Sequence, residues 1–403
     1  KNILRGVIMN TTELKNRAAE IALENANLYE TVSRTVYDFH ELGNNEYKST
    51  AYLRDELEKI GFKVQLPYAG MDTAIRAEYG EGHPKIAFIA EYDALPGYGP
   101  DKNQNGHACG HNFIAANCFG ACHILKQLKD ETDFAGTIVY LGAPAEETTG
   151  GKVDLVKFGA LEDIDAAIQI HIDGGDETHT WAQTLAIDSV EFTFEGVASH
   201  AAGAPEKGVN ALDAAYLTFN GINALRQHIT PDARIHGIIT EGGLAANIVP
   251  NHAVAQFYVR AEDRAYLDTL TQKVINCARG AELMTGAKMS LRYFENSFDN
   301  LTINQTLKKF MEANLVLAGE DDKYIVKEKQ PRSGSSDLGN ISQVVPTCYV
   351  SLAVHNPDGS SCHEEAFLPY CGVGELGIKA LHKSILAQVY TAIDVFADPD
   401  CLK

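Results

Sequence analysis

The first part of the chain alternates short apolar runs with amphipathic stretches of helical period. The runs KIAFIAEYDALP, GTIVYLGAP and AAIQIHI predict buried strands, and the stretches NFIAANCFGACHILKQLK and KVDLVKFGAL predict helices between them. This alternation is typical of an α/β layer with a mostly parallel sheet flanked by helices. Before it, the pattern predicts one long helix from Thr11 to about Leu42, opened by a capping pair of Asn10 and Glu13, and a second helix over 50–60.

From about Asp188 the pattern changes to strands whose residues alternate between apolar and polar. Their order with the intervening helices is strand, helix, strand, strand, helix, strand, which describes a split βαβ unit. We therefore predict a discontinuous main domain over 9–187 and 298–403, interrupted by an inserted α+β ferredoxin-like domain over 188–297. The strand PTCYVSLAV and the helix GVGELGIKALHKSILAQVYTAI complete the main domain.

Composition narrows the class of protein. At 403 residues the chain exceeds the size at which a single core stops growing, which agrees with two domains. No apolar run reaches the length of a membrane-spanning helix. The net charge of -20 would repel phosphate backbones and anionic lipid surfaces, so neither a nucleic acid nor a membrane is an expected partner.

The cysteines and the N-terminus bear on the compartment and the start of the chain. Eight cysteines are scattered without the regular spacing of a secreted disulfide scaffold, which favours a reducing, cytoplasmic setting. The first residues lack the apolar core of a signal peptide. Because residues 1–8 precede the first predicted helix, we interpret Met9 as the natural start.

The densest chemical signal is HACGHN, which lies just before a predicted helix. Cys109 and His111 are separated by one glycine, so a loop can turn both donors toward one ion, and a thiolate with an imidazole suits zinc, cobalt or manganese. The alternative is a buried structural cysteine beside a helix-capping histidine, which is the commoner environment for an isolated pair of this kind.

Further candidates lie beyond the ends of apolar strands. Glu146 and Glu147 follow a buried strand at the position where open α/β sheets place their ligands, and one can bind metal while the other faces a water molecule. The alternative for such a pair is a solvated acidic turn. His171 and His363 also lie at or beyond strand ends, where a lone histidine is more often a core or edge residue.

A resemblance to a known family links these residues. In order, the segments EYDALP, HACGHN, PAEE, IQIHI, SHAAGAPEKGVNALDA, NIVP, SGSSDLG and CHEEAF resemble the aminoacylase and carboxypeptidase G family of metallopeptidase clan MH. The branch it resembles contains p-aminobenzoyl-glutamate hydrolase, the auxin-conjugate hydrolases and a β-alanyl-lysine dipeptidase. The resemblance implies a metal-dependent amidohydrolase that cleaves the amide bond of an N-acyl or N-aroyl amino acid or of a dipeptide.

The resemblance also assigns roles in the main domain, which becomes the catalytic domain. Glu146 becomes the general base that takes a proton from a metal-activated water. Asp93 becomes a residue that orients a ligand, because this chain has Glu91 and Asp93 where many members of the superfamily have a metal-binding histidine two residues before an aspartate. One or two divalent ions, manganese or zinc with cobalt as a third choice, are expected to bind Cys109, His111, Glu147, His171 and His363.

In the inserted domain the resemblance assigns two residues, and side-chain chemistry suggests a third. His200 matches a histidine that stabilises the tetrahedral oxyanion, commonly across a dimer, which implies a homodimer formed through this lid or dimerisation domain. Asn247 matches a position that contacts the carboxylate side of the substrate. Arg260 has the fork geometry of a carboxylate clamp, although an exposed ion pair at a strand end is the commoner environment.

Two other functional classes remain open at this point. One is a hydrolase that uses Cys109 as a nucleophile beside a histidine, and would survive metal chelation. The other is a non-catalytic binding protein on the same fold, which would be expected to have lost the base or some of the ligands. Glu146 and all five donors are present in this chain.

Overall fold

The computed structural model describes residues 10–99, 104–132, 134–331 and 334–402; the interpreted start, Met9, lies outside them. None of the described helices is both long and apolar enough to cross a membrane. The strands among the described residues are β1 Lys63–Gln65, β2 Ile75–Glu81, β3 Lys85–Ala90, β4 Leu95–Pro96, β5 Asn105–Gly106, β6 Gly136–Gly142, β7 Ala166–Asp173, β8 Thr178–His179, β9 Ala186–Glu195, β10 Arg234–Glu241, β11 His252–Ala261, β12 Lys288–Tyr293, β13 Ile325–Val326 and β14 Thr347–Ala353.

The helices agree in type with most of the predicted amphipathic stretches. The α-helices are α1 Thr11–Glu24, α2 Ala26–Phe39, α3 Tyr47–Lys59, α4 His111–Thr132, α5 Gly151–Phe158, α6 Ala211–Leu225, α7 Arg264–Thr285, α8 Gln305–Leu317, α9 Leu338–Ser342 and α10 Glu375–Ala397. Short 3₁₀ helices cover Pro205–Lys207, Arg226–His228, Asp322–Tyr324, Glu365–Tyr370 and Pro399–Leu402.

The chain divides into two compact units. The second unit consists of Thr184–Leu301 and a short segment that ends at Gly339, and the first unit contains the rest. That short segment is joined to the second unit by backbone contacts such as the hydrogen bond from Leu185 N to Gly334 O, 3.0 Å. The predicted boundaries placed the segment in the main domain, since its pairing with a distant part of the chain leaves no local pattern.

The first unit contains an eight-stranded sheet in the order β1-β2-β6-β3-β7-β14-β8-β13. The four central strands β6, β3, β7 and β14 run parallel. The pairs β1–β2, β2–β6 and β14–β8 are antiparallel, and β13 runs parallel to β8. The central strands are apolar along nearly their whole length because both faces of a parallel sheet are buried. The predicted α/β class with a mostly parallel sheet is therefore confirmed.

Helix α4 is the central helix of the first unit. It packs against β3, β6 and β7 and is also contacted by α1, α2 and α10. Every residue from His111 to Leu125 is buried, which explains why the segment lacks a polar face. Because α4 begins at His111, this packing fixes the backbone of a candidate ligand at the edge of the sheet.

The second unit is a four-stranded antiparallel sheet in the order β10-β11-β9-β12. Helices α6 and α7 pack against each other and against β9 and β11. Its own apolar core includes Phe192, Phe257 and Leu270. This arrangement confirms the predicted ferredoxin-like class of the inserted domain.

Candidate metal centre

The candidate ligands lie at one edge of the first unit's sheet. Strands β6, β3, β7 and β14 are neighbours and run parallel, so their carboxyl ends meet at the same edge. Each of these strands, or the loop directly after it, supplies a polar side chain, and α4 begins beside them. The side chains in question are Glu91 and Asp93 after β3, Glu146 and Glu147 after β6, His171 near the end of β7, His363 after β14, and Cys109 and His111 at the start of α4.

The turn between Cys109 and His111 requires its glycine. Gly110 has a φ of +79°, a conformation that other residues rarely adopt, and a Cβ there would lie 2.4 Å from the Cγ2 atom of Ile172. The turn brings the Cys109 Sγ atom to 3.4 Å from the Nε2 atom of His171. A tetrahedral ion with ordinary zinc bond lengths would hold a sulphur and a nitrogen about 3.5 Å apart.

Two groups of three donors share the Cys109 sulphur. One group is Cys109, His111 and His171, the other is Cys109, Glu147 and His363, and within each group the donor atoms lie within 4.8 Å of one another. Glu146 forms a further group with His111 and Glu147 within the same limit. The sequence predicts five metal ligands and one general base in the catalytic domain. The structure brings all six of these side chains close together.

Hydrogen bonds orient two of the histidines. The Nδ1 atom of His111 lies 2.7 Å from an oxygen of Asp93, and the Nδ1 atom of His171 lies 2.6 Å from the backbone oxygen of Ile172. A proton on each Nδ1 leaves the Nε2 lone pair available for a metal ion. The other oxygen of Asp93 accepts a hydrogen bond from Glu147 N, 3.0 Å, so this carboxylate orients two of the candidate ligands.

Buried acceptor atoms without partners indicate that the donor set fits a cation. Among the described residues, His111 Nε2 and Glu91 Oε2 are buried and have no hydrogen-bond partner, although they lie 3.4 Å apart. Glu147 Oε1 is 3.9 Å from His111 Nε2 and 3.2 Å from His363 Nε2. Buried polar atoms without partners are costly, and a divalent ion among these atoms would satisfy them.

The electrostatics of the site reflect a dense set of acids around buried imidazoles. Burial by itself lowers the pKa of His111, but the charges of Asp93, Glu91 and Glu147 outweigh burial and hold this pKa well above its ordinary value. The nearby carboxylate of Glu147, 3.2 Å away, raises the pKa of His363. A cluster that attracts protons this strongly without a metal also attracts divalent cations.

The backbone after β6 is held in an unusual conformation. Ala145 has a φ of +60°, and its N–H donates to the buried carboxylate of Glu46 at 2.8 Å. His363, on the facing loop, also has a positive φ, +67°. Positive φ values at residues other than glycine persist where surrounding contacts impose them, and they cluster at functional sites.

Sequence reasoning missed three buried polar residues beside the ligands. Glu91 was noted but given no role, and Lys152 and Gln169 were not singled out. One oxygen of Glu91 pairs with the Lys152 ammonium at 2.6 Å and accepts a hydrogen bond from Gln169 at 2.9 Å. The signal for Lys152 was a lysine at the start of the apolar segment KVDLVKFGAL, where only a buried partner would retain it.

His200 and Asn247 lie on neighbouring segments of the second unit. The N–H of Ala201 donates to the backbone oxygen of Asn247 at 3.0 Å. The Nδ1 atom of His200 accepts hydrogen bonds from the N–H groups of Ala202 and Gly203, at 3.2 and 3.1 Å. These bonds place the ring proton on Nε2, so the exposed imidazole presents a hydrogen-bond donor.

Arg260 lies in the second unit without a carboxylate partner. Its Nη1 atom donates to Ser335 at 2.9 Å, and its guanidinium lies 5.8 Å from the ring centre of Tyr258. Its Nε atom is buried and unpaired, and no ion pair joins it to another described residue. The commoner environment considered for this residue, an exposed ion pair at a strand end, is therefore not the one it occupies.

Comparison with known proteins finds a family model and named relatives that match most of the chain. The model of the family described as peptidase family M20/M25/M40 matches residues 87–387. An Xaa-Arg dipeptidase of Mus musculus is 33% identical over 97% of this chain and 90% of its own length. One of the subunits of the p-aminobenzoyl-glutamate hydrolase of Escherichia coli K12 is 32% identical over 70% of this chain and 61% of its own length.

A structural comparison shows the same fold. A dinuclear metal-binding peptidase of the M20 family from Bacillus subtilis superposes with a TM-score of 0.64 at 20% identity, covering 91% of this chain and 99% of the other. The resemblance drawn from the sequence motifs is confirmed, as is the assignment to enzymes that hydrolyse amide bonds. The chain belongs to peptidase family M20/M25/M40.

Proposed function

We propose that this enzyme is a dipeptidase or N-acyl amino acid hydrolase that uses two divalent ions, both of which Cys109 would help to hold. The observation that carries the proposal is the pair of three-donor groups that share this sulphur. His111 and His171 would complete the ligands of one ion, and Glu147 and His363 those of the other. Manganese and zinc both suit this mixture of sulphur, nitrogen and oxygen donors, and cobalt also fits.

In this proposal Glu146 is the general base. Bound divalent ions supply a water molecule of lowered pKa and polarise the substrate carbonyl. Glu146 lies in one donor group with His111 and Glu147, so its carboxylate is placed to accept a proton from the attacking water. The same carboxyl then donates that proton to the leaving nitrogen, so no covalent enzyme intermediate is needed.

Residues of the second unit would bind the rest of the substrate. The Nε2–H of His200 is a donor suited to the oxyanion that forms from the amide carbonyl. Arg260 has a buried Nε atom without a partner, and a carboxylate on the substrate would supply one. We assign Asn247 to the carboxylate side of the substrate on the family resemblance of its segment NIVP.

Among substrates we favour a dipeptide with a basic C-terminal residue. A relative that covers nearly the whole chain is named for Xaa-Arg dipeptides. The net charge of -20 favours a substrate with a cationic group over a strongly acidic one. An acidic substrate such as p-aminobenzoyl-glutamate is the second choice, since Arg260 and the metal ions would have to offset that charge.

The structure does not favour Cys109 as a nucleophile. A hydrogen bond with Cys362 and burial raise the pKa of Cys109 well above its ordinary value, whereas a nucleophilic cysteine needs a lowered pKa. The proximity of His171 is explained equally well by shared metal binding. Persistence of activity in chelator would revive the thiol mechanism.

We also propose a homodimer formed through the second unit. Strand β10 is an edge strand that pairs only with β11 in the part of the chain that is described. It exposes 62% of Ile238 and 38% of Ile239, and nearby Leu244 is 91% exposed. An exposed apolar edge strand favours pairing with a second copy, in which β10 would meet its own equivalent. The free state of all eight cysteines supports a cytoplasmic setting for the dimer.

The experiment is a hydrolysis assay on a panel of dipeptides and N-acyl amino acids. Dipeptides ending in Arg, Lys, Leu or Glu are compared with p-aminobenzoyl-glutamate, before and after chelation and with manganese, zinc or cobalt restored. We expect hydrolysis that requires metal and is fastest for a basic C-terminal residue. Hydrolysis that does not change on chelation would contradict the proposal, and equal rates across the panel would contradict the substrate preference.

A further inference from the structure

One buried carboxylate oxygen at the candidate metal centre belongs to none of the ligands proposed above. Oε2 of Glu91 is buried, has no hydrogen-bond partner and lies 3.4 Å from His111 Nε2, which is also buried and unpaired. The Glu91 side chain is only 2% exposed. It follows the central strand β3 and so lies at the same sheet edge as the other donors.

When the His111 ring is neutral, as a metal ligand must be, these two atoms both act as acceptors. The hydrogen bond between His111 Nδ1 and Asp93 places the ring proton on Nδ1, so a lone pair of Nε2 is directed toward the Glu91 oxygen. Two buried acceptors that face each other repel unless a proton or a metal ion lies between them, and a metal ion takes the place of the proton when it binds. Donor atoms bound at about 2.1 Å in a tetrahedral site lie about 3.4 Å apart, which matches the observed separation.

The other oxygen of Glu91 is held firmly. Oε1 is 2.6 Å from the Lys152 ammonium, which is wholly buried, and 2.9 Å from the Gln169 amide. Gln169 also donates to the backbone oxygen of Ile89 at 3.1 Å, which fixes the amide. One oxygen therefore anchors the carboxylate while the other is directed toward His111.

We propose that Glu91 is a sixth metal-binding side chain, which coordinates through Oε2 the same ion as His111. Lys152 is its positioning residue, holding Oε1 and offsetting the extra negative charge at the centre. The inference rests on the metal centre proposed above. The competing explanation is that Glu91 serves only to pair with the buried Lys152.

The test compares two variants that lack the Glu91–Lys152 ion pair, one with the Glu91 carboxylate and one without it. Lys152→Met keeps the Glu91 carboxylate, whereas the double variant Glu91→Gln/Lys152→Met removes it together with the buried ammonium. Removing both partners avoids an uncompensated buried charge, so the double variant is the one expected to keep its fold. Wild type serves as the reference if Lys152→Met does not fold. Glu320→Gln is a matched control, because Glu320 is a buried carboxylate paired with Lys383 at 2.7 Å elsewhere in the first unit.

The readout is metal binding rather than activity. Zn²⁺ stoichiometry and affinity are measured in the full-length proteins by competition with a chelating indicator, and the Co²⁺-loaded proteins give absorption spectra that report ligands around the thiolate. We expect wild type and Glu320→Gln to bind two ions tightly, and Lys152→Met to bind one of them more weakly than wild type but more tightly than the double variant does. The double variant should bind one of its ions on the order of 100-fold more weakly and show an altered cobalt spectrum.

Each outcome separates the two proposals. If wild type binds two ions and the double variant binds both equally tightly, Glu91 is not a ligand, while the proposed function stands. If Lys152→Met loses affinity as much as the double variant, the ion pair rather than the carboxylate matters, and the assignment of Glu91 fails. If wild type itself binds no ion, both the metal centre and this inference are wrong.

Discussion

At the residue scale, one glycine determines how two of the candidate ligands face the same point. Gly110 combines a φ of +79° with a Cβ position only 2.4 Å from Ile172. We expect Gly110→Ala to lose roughly 1–3 kcal/mol in the free energy of unfolding and to bind metal more weakly, since the turn must distort. Thermal unfolding and metal analysis of the purified variant would measure both effects.

A second glycine provides the control. Gly280 lies within α7, and a Cβ there meets nothing within 4 Å. Gly280→Ala should raise the free energy of unfolding by about 0.5–1 kcal/mol and leave metal content unchanged. A Gly110→Ala variant as stable and as metal-rich as this control would show that the turn tolerates a side chain.

Substitution of Glu146 should remove proton transfer, whereas substitution of the adjacent Glu147 should remove a metal ligand. Glu146→Gln should lower kcat on the order of 1,000-fold and retain two metal ions, because loss of a general base removes proton transfer without removing a ligand. Glu147→Gln should lose metal affinity as well as activity. Metal analysis alongside steady-state kinetics distinguishes the two, and loss of metal from Glu146→Gln would exchange the proposed roles.

Much of the candidate site could be predicted from residue types and their spacing in the sequence. Cys109 and His111 are close in sequence, and Glu146 follows a predictable strand, so their chemistry was visible without a structure. The pairing of Glu91 with Lys152 was not, because the two lie at the ends of different elements that only the fold brings together. The lack of a partner for the Nε atom of Arg260 among the described residues was hidden for the same reason, since a missing partner leaves no sequence pattern.

At the element scale, strong periodicity predicted most helices and central strands but not every boundary. The expected single helix from Thr11 is broken at Asn25, whose side chain donates to the backbone oxygen of Ile21 and so competes with the next helical turn. Helix α8 was not predicted, although Asn304 caps it and Leu307, Met311 and Leu315 form its buried face. The two-residue strands β8 and β13 are too short to show any periodicity.

The packing of α2 on α4 contains a buried histidine that makes stability depend on pH. Burial, with a smaller contribution from Lys126, lowers the pKa of His123 from 6.5 to about 4. Its Nδ1 atom is 3.1 Å from the Tyr29 hydroxyl, and its Nε2 atom is 2.8 Å from the Gln127 amide. The neutral ring is therefore the form that the folded protein accommodates.

Because folding lowers the pKa of His123, acid reduces the stability of the folded protein. The unfolded chain takes up the proton first, so the stability from this group is complete above pH 6.5 and is lost as the pH falls toward 4. The loss amounts to roughly 3 kcal/mol at most. In denaturant unfolding, the free energy of unfolding should fall less steeply between pH 7 and pH 4 for His123→Gln than for wild type. The exposed His228→Gln serves as the control, and equal slopes for all three proteins would contradict the prediction.

At the scale of the whole molecule, the proposed dimer depends on strand β10. Ile238→Lys places a charge on an exposed edge that would otherwise pair with a second copy, so we expect monomers in sedimentation analysis at micromolar concentration. Leu283→Lys is the matched control, since Leu283 is 86% exposed on α7 and lies outside the edge strand. Dimers that persist in Ile238→Lys, or dissociate equally in the control, would contradict an interface through β10.

The dimer and the role of His200 can be tested together by mixing two inactive variants. If His200 completes the active site of the partner subunit, a heterodimer of His200→Ala and Glu146→Gln contains one site with both an intact base and an intact imidazole. Random exchange of subunits should then restore about a quarter of wild-type activity, because half of the dimers are mixed and each has one working site. If His200 acts within its own subunit, every site lacks one of the two groups and mixing restores nothing. Because both variants should retain their metal ions, activity that returns on mixing must come from exchange between subunits, and the monomeric Ile238→Lys background should abolish it.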